Sequence, residues 1–266
     1  MVETNKVSEE GSASLLSQLL KDREQFFSEV ADNVGIRAKL KFLLITMASL
    51  SAFYGATIGL YQGGWQIVSA ALKIPFLFVV TLLVTLPLFY IVQLLLGSRL
   101  GLRQVSALVL SALTLTSIIL AAAAPISLFF LLTGGNYYFL HLLHIAAFGF
   151  AGLFGMFTLH TGLTVLCESK GVYPRLGIGI LRLWVLIFAF VGIQLAWHLR
   201  PYVGIRGESF AVRKQYEGNF YSAVSFAVGK LFHNEPPSGP RLGEQPHTGG
   251  PIPQLFKDDT LAKPSR

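Results

Sequence analysis

From Gln104 to Cys167 the chain carries no Asp, Glu, Lys or Arg. No other feature restricts its possible folds as strongly. The stretch opens with an arm at Val105–Leu132, turns through Thr133-Gly134-Gly135-Asn136-Tyr137, and returns as Tyr138–His160. Each arm is longer than the ~20 apolar residues that cross a bilayer core of ~30 Å. Lipid offers no partner to backbone N–H and C=O groups, so only helices and closed barrels span it. The pattern therefore predicts a hairpin of two membrane helices. In water such a hairpin would have to be covered on every side, and little else in this chain can do so.

Composition agrees. Hydrophobic residues make up 53% of the sequence and charged residues 13%, with a mean hydropathy of +0.58, whereas soluble domains carry ~25% charged residues. The net charge of +7 does not point to nucleic acid, because the basic residues sit near the ends of apolar runs, where they anchor helices and set topology. Cys167 is the one cysteine, so no intramolecular disulfide can form. A cleavable signal peptide is not expected, since about 40 mostly polar residues precede the first long apolar run. The fold class expected is an all-α integral membrane protein. It would be a five-helix transmembrane bundle with an amphipathic N-terminal helix and a mostly disordered C-terminal tail.

Read in order, residues 1–41 form a cytoplasmic N-terminal region. Leu16, Leu19, Leu20, Phe27, Val30 and Val34 recur at helical spacing, which predicts an amphipathic helix over 13–34 ended by Gly35. Its mixed polar face fits packing on its own membrane domain or on a partner better than binding anionic lipid. The transmembrane domain covers 42–199, with spans at about 42–61, 75–96, 105–132, 138–160 and 176–197. In the first span Ser51, Gly55, Gly59 and Gly63 recur every four residues, a ridge that lets helix backbones approach closely. Packing inside the monomer and a homodimer seam are both open readings of it. Trp65–Lys73 is too short to cross and reads as a separate interfacial helix, or else a re-entrant one. Pro75 suits a first helical turn; Pro87 and Pro125 lie inside spans and predict bends. In the fourth span Ala147, Ala151 and Gly155 make a second ridge. The polar tail, 200–266, turns Pro- and Gly-rich and is expected to be disordered after about 233.

The positive-inside rule orients this layout. With the N-terminus cytoplasmic, Lys21, Arg23, Arg37, Lys39, Lys41, Arg99, Arg103, Lys170 and Arg175 fall inside. Outside lie Lys73, Arg200, Arg206, Arg213 and Lys214, and the hairpin tip has no basic residue. The inside set is the larger. It predicts a multi-pass protein of the cell inner (cytoplasmic) membrane, with the N-terminus inside and, after five spans, the C-terminus outside.

The sharpest candidate for chemistry is a histidine set. His141 and His144 open the fourth span and His198 closes the fifth. Antiparallel helices would bring all three to one membrane face, and imidazole ligates both haem and metals. The competing reading is a set of interfacial histidines beside Tyr137, Tyr138, Trp197 and Tyr202. His160 lies ~24 Å from His144 along the helix and cannot join them. Arg182 reads as a snorkelling anchor, with Glu168 a candidate partner. Spans without Asp or Glu in their interior argue against a proton-coupled pump or cation transporter. Gly177-Ile178-Gly179 lacks the third glycine of a nucleotide fingerprint, and neither GxSxG, HExxH nor a P-loop occurs. No enzyme activity and no cofactor are expected on these motifs.

Several stretches carry a resemblance: Phe53-Tyr54-Gly55 through Tyr61-Gln62-Gly63-Gly64, Leu95-Leu96-Gly97-Ser98-Arg99, Pro125-Ile126-Ser127-Leu128, Gln194-Leu195-Ala196-Trp197 with Leu199-Arg200-Pro201, and Gly218-Asn219-Phe220-Tyr221. Together they resemble a group of bacterial multi-pass membrane proteins, some of them similar to the Yip family. That resemblance spans roughly 42–221 and implies a five-helix membrane domain with a cytoplasmic N-terminus. It transfers no catalytic motif, and the C-terminal tail here is longer than the family's. The function expected is a non-catalytic membrane scaffold or assembly protein, with the lipid bilayer and a membrane-protein partner or second copy as its contacts. A small channel or transporter is the first alternative, and a haem- or metal-binding protein using His141, His144 and His198 the second.

Overall fold

The structure, a computed structural model, describes residues 14–95, 100–169, 174–200 and 202–203, with short pieces at 224–225 and 228–229; side chains at 174–178, 180 and 181 are left out. The expected disordered segment after 233 lies outside the described residues, as does most of the tail. Within them the secondary structure is helical, without strands: α1 (described over 14–21), α2 (Arg23–Ala31), α3 (Ile36–Gly59), α4 (Trp65–Leu95), α5 (Leu102–Leu132), α6 (Tyr137–Ser169) and α7 (Pro174–His198). Among the described residues four helices, α3 to α6, are long and apolar enough to cross a membrane. By length and composition this is a multi-pass membrane protein. Five such helices were expected; the described apolar part of α7 covers Arg182–His198, shorter than the other four.

Helix α5 is the centre. From Gln104 to Ser117 nearly every side chain is buried, whichever way it faces, as expected of a helix that is apolar all round. Its hydroxyls are satisfied by their own helix: Ser111, Thr114, Thr116 and Ser117 donate to the carbonyls of Ala107, Leu110, Ala112 and Leu113 at 2.7–2.9 Å. Thr114 also reaches the Leu43 carbonyl of α3 at 3.1 Å. Around α5 pack α3, α6 and α2; α4 lies against α3, and α7 against α4 and α6. Trp184 of α7 donates its indole N–H to the Thr85 carbonyl of α4 (2.9 Å) and lies 4.7 Å from the Phe89 ring.

The helix bounds depart from expectation at three places. The amphipathic helix expected over 13–34 is two helices that meet at Asp22, whose ψ of 59° is far from the helical value of about −42°. Helical hydrogen bonds continue on both sides, from Asp22 N–H to Gln18 and from Phe26 N–H to Asp22, so the chain bends there without losing its bonding. At 65–73 the expected interfacial helix is instead the first part of α4, which runs without a break through Pro75 and Pro87. A proline removes one backbone bond, and packed neighbours in a membrane bundle tolerate that loss. The third difference is length: α6 extends to Ser169, past the expected end at His160. At 33 residues it would measure about 50 Å if straight, well beyond a ~30 Å hydrocarbon core. The surplus carries the α2 contact described next.

Helix α2 is built into the bundle. Its Phe26, Phe27, Val30 and Ala31 are fully buried, as is Leu19 of α1. Phe27 occupies the space left by Gly162 of α6, where a Cβ would lie 2.6 Å from the phenyl ring and 2.5 Å from Leu108 of α5. At ~25 cal/mol per Å² buried, each such phenylalanine stabilises docking by about 1.5–3 kcal/mol.

Candidate functional site

Polar side chains gather at both ends of the bundle. At the end that holds the α5–α6 turn, His144 is buried (8% exposed) and its Nδ1 shares a 2.9 Å hydrogen bond with the Tyr54 hydroxyl of α3. That bond joins α3 to α6, while the Ser127 hydroxyl of α5 donates to the Ala123 carbonyl of its own helix at 3.4 Å. Phe148 meets the Tyr54 ring edge-on at 5.7 Å. His141 faces elsewhere: its ring stacks on Tyr137, and its Nε2 lies 3.5 Å from the Arg200 guanidinium. His198 is exposed and donates Nδ1–H to the Gln194 carbonyl one turn earlier, at 2.8 Å.

The expected ligand set is therefore not assembled. His141, His144 and His198 serve three separate contacts, and among the described residues no group of three His, Cys, Asp or Glu side chains is placed to hold a metal. The reason is rotational. His141 and His144 are three residues apart but point to different neighbours, one to the chain after α7 and the other into α3. Gln66 of α4 donates to the Tyr202 carbonyl at 2.9 Å and ties the same segment down. Burial pushes the Tyr202 phenol up, with Arg200 acting weakly against it.

The small-residue ridges resolve into distinct contacts. A Cβ at Gly55 would lie 2.5 Å from the Ala70 carbonyl oxygen, and one at Gly59 would lie 2.6 Å from that of Gln66. Both glycines thus press on the α4 backbone inside the chain. Ser51 is fully buried and its hydroxyl donates to Ala48. Gly63 departs from the ridge: it lies in the α3–α4 turn at φ +82°, with nothing near its missing Cβ. Its role is the left-handed backbone of the turn, which L side chains rarely adopt. On α6, Ala151 is fully buried and Ala147 packs at the core edge. Gly155 faces the Thr116 hydroxyl and the Ala112 carbonyl of α5.

At the opposite end, contacts pin α2 to three helices. Lys39 of α3, 4% exposed, donates to Glu29 at 2.5 Å and sits over the Phe26 ring. Hydrogen bonding and charge from that ammonium hold the Glu29 carboxyl below the usual carboxylate range, against the opposing effect of burial. Gln104 of α5 donates to the Ala31 carbonyl at 2.6 Å, and Arg23 reaches Thr158 of α6 at 3.4 Å. Between α2 and α6 an open cleft of about 670 Å³ remains, bordered by Glu24, Gln25, Ser28, His160, Thr161 and Glu168. It adjoins a second of about 520 Å³ that adds Lys21, Asp22 and Arg23. Arg182 and Glu168 are both exposed and form no ion pair among the described residues.

Sequence reasoning missed Tyr54 as the partner of His144, and it missed Gln104 and Lys39 as anchors of α2. Tyr54 carried no signal beyond being polar in an apolar run. Lys39 read as an ordinary topology signal, three residues past the start of α3. No protein-family model, curated protein or solved structure matches this chain.

Proposed function

We propose that the chain is a non-catalytic scaffold or assembly protein of the cytoplasmic membrane, with α7 supplying a fifth crossing and the N-terminus cytoplasmic. The observation that supports it most is the division of small residues on α6. Ala151 and Gly155 face inward, while Ala146, Gly149 and Gly152 face outward, with open space where the Cβ atoms of the two glycines would be. Small outward residues let a second backbone approach closely, so this face suits a helix of another membrane protein or of a second copy. The Yip-like pattern in the sequence implies the five-helix layout and the cytoplasmic N-terminus.

The test is affinity purification of the full chain in mild detergent, beside Gly149→Leu and Gly152→Leu. The proposal expects a co-purifying membrane protein or a dimer, lost in both variants while the monomer remains folded. A monomer alone, together with ion or solute flux in liposomes, would move the assignment to a channel or transporter. The haem or metal reading is weakened by the scattered histidines, and a Soret band or bound metal in the same preparation would restore it.

A further inference from the structure

We infer that the cleft between α2 and α6 binds the headgroup of an aminophospholipid, a phosphodiester bearing a primary ammonium. The inference is independent of the scaffold reading and needs only that α6 crosses a bilayer. Three observations carry it.

The first is continuity along one face of α6. Phe150, Phe154, Phe157, Thr161, Thr164 and Glu168 follow one another at three- and four-residue steps, and so share a face. The three phenylalanines are exposed at 58%, 40% and 64%, with ring centroids 4.9 and 6.4 Å apart. Thr161, Thr164 and Glu168 then line the cleft. An aromatic track thus leads into a polar groove, which is the shape and polarity of an acyl chain ending in a headgroup.

The second is charge distribution. The two clefts share Glu24, Gln25 and Thr161, so they form one groove. Its α1–α2 end carries Lys21 and Arg23 with Asp22 between them, Glu24 of α2 borders both halves, and the α6 end carries Glu168 without a Lys or Arg. Among the described residues none of Lys21, Glu24 or Glu168 is in an ion pair. Phosphate suits the first end and ammonium the second. A headgroup of net negative charge would meet Glu24 and Glu168 unfavourably.

The third is acceptor geometry. The Thr161 and Thr164 hydroxyls donate to the carbonyls of Phe157 and His160, at 3.0 and 3.1 Å. Their remaining lone pairs are acceptors on the lining of the cleft. A primary ammonium has three N–H donors to place there and on the glutamates, whereas a trimethylammonium has none.

Native mass spectrometry of the full chain tests this, with phosphatidylethanolamine, phosphatidylcholine and phosphatidylglycerol of identical acyl chains titrated in turn. Charge-assisted hydrogen bonds predict phosphatidylethanolamine adducts roughly tenfold tighter than either other lipid. The double variant Glu24→Gln/Glu168→Gln should lose that preference to within about twofold, while phosphatidylcholine adducts, which report a folded surface, stay unchanged. Lys21→Gln, which removes a contact to the phosphate that these lipids share, should weaken phosphatidylethanolamine while keeping its preference over phosphatidylcholine. Equal affinity for the three lipids, or a preference that survives the double variant, overturns the inference. Soluble glycerophosphoethanolamine separates the sources. Competition with bound phosphatidylethanolamine supports the headgroup site, whereas binding of the soluble compound alone, without any lipid preference, overturns the lipid assignment.

Discussion

At the α3–α4 seam Gly55 and Gly59 face backbone, and on α6 Gly155 and Gly162 face side chains above all. The same residue type therefore does two different jobs. At Gly59 a Cβ would lie 2.6 Å from the Gln66 oxygen and 2.7 Å from the Ile67 Cα. Neither atom can move unless α4 moves as a body. At Gly162 the intruded atoms are the Leu108 methyl and the far edge of the Phe27 ring, which rotate or slide at lower cost. Four-residue spacing of small residues marked Gly55, Gly59 and Gly155 alike and gave no signal at Gly162; only the neighbour decides how strictly glycine is required.

That contrast ranks the consequences of substitution. Gly59→Ala should destabilise most, by about 3 kcal/mol or more, because overpacking against rigid atoms has no cheap relaxation. Thermal unfolding in detergent reads it, and a loss below that of Gly162→Ala would break the contrast. Gly162→Ala should cost about 1–2 kcal/mol, and a companion Phe27→Leu should recover part of it by vacating the ring edge. Recovery sharpens the distinction, since no side-chain change can rescue Gly59.

Glu29→Gln at the α2 anchor comes next, at about 1–2 kcal/mol, as it leaves the buried Lys39 ammonium with a weaker partner. Its pH dependence has a definite sign. The folded-state carboxyl value is lowered, so the stabilisation is present above the unfolded value and fades as pH falls through the folded one. The wild-type protein should lose stability on that acid limb, and Glu29→Gln should flatten it. The smallest loss is expected for Tyr54→Phe. Hydrogen bonds between membrane helices average ~0.6 kcal/mol, so removing the hydroxyl that bonds His144 should shift the melting midpoint only slightly.

Much of the architecture was legible because lipid imposes a plain code. Charge-free length announced the α5–α6 hairpin, and Thr133 to Asn136 still form its turn. Small residues at four-residue spacing marked Gly55 and Gly59, though not which helix they meet. Pro75 misled, since proline breaks helices in water more readily than in a packed bundle. The histidines misled for another reason: spacing along α6 fixes which residues share an end of the helix, but the direction of each ring depends on α3 and on the chain after α7. The α2–α6 cleft was invisible, because its two walls are far apart in sequence and its lining residues are ordinary surface types.

The central claim is that the α3 ridge holds this chain's own helices together while the outward glycines of α6 do not. Unfolding of Gly59→Ala and Gly149→Ala, measured side by side in the same detergent, tests it most directly. The expected result is a loss of about 3 kcal/mol for Gly59→Ala and no loss for Gly149→Ala, where helix propensity favours alanine by up to about 1 kcal/mol. Equal losses, or a larger loss at Gly149, would contradict the account.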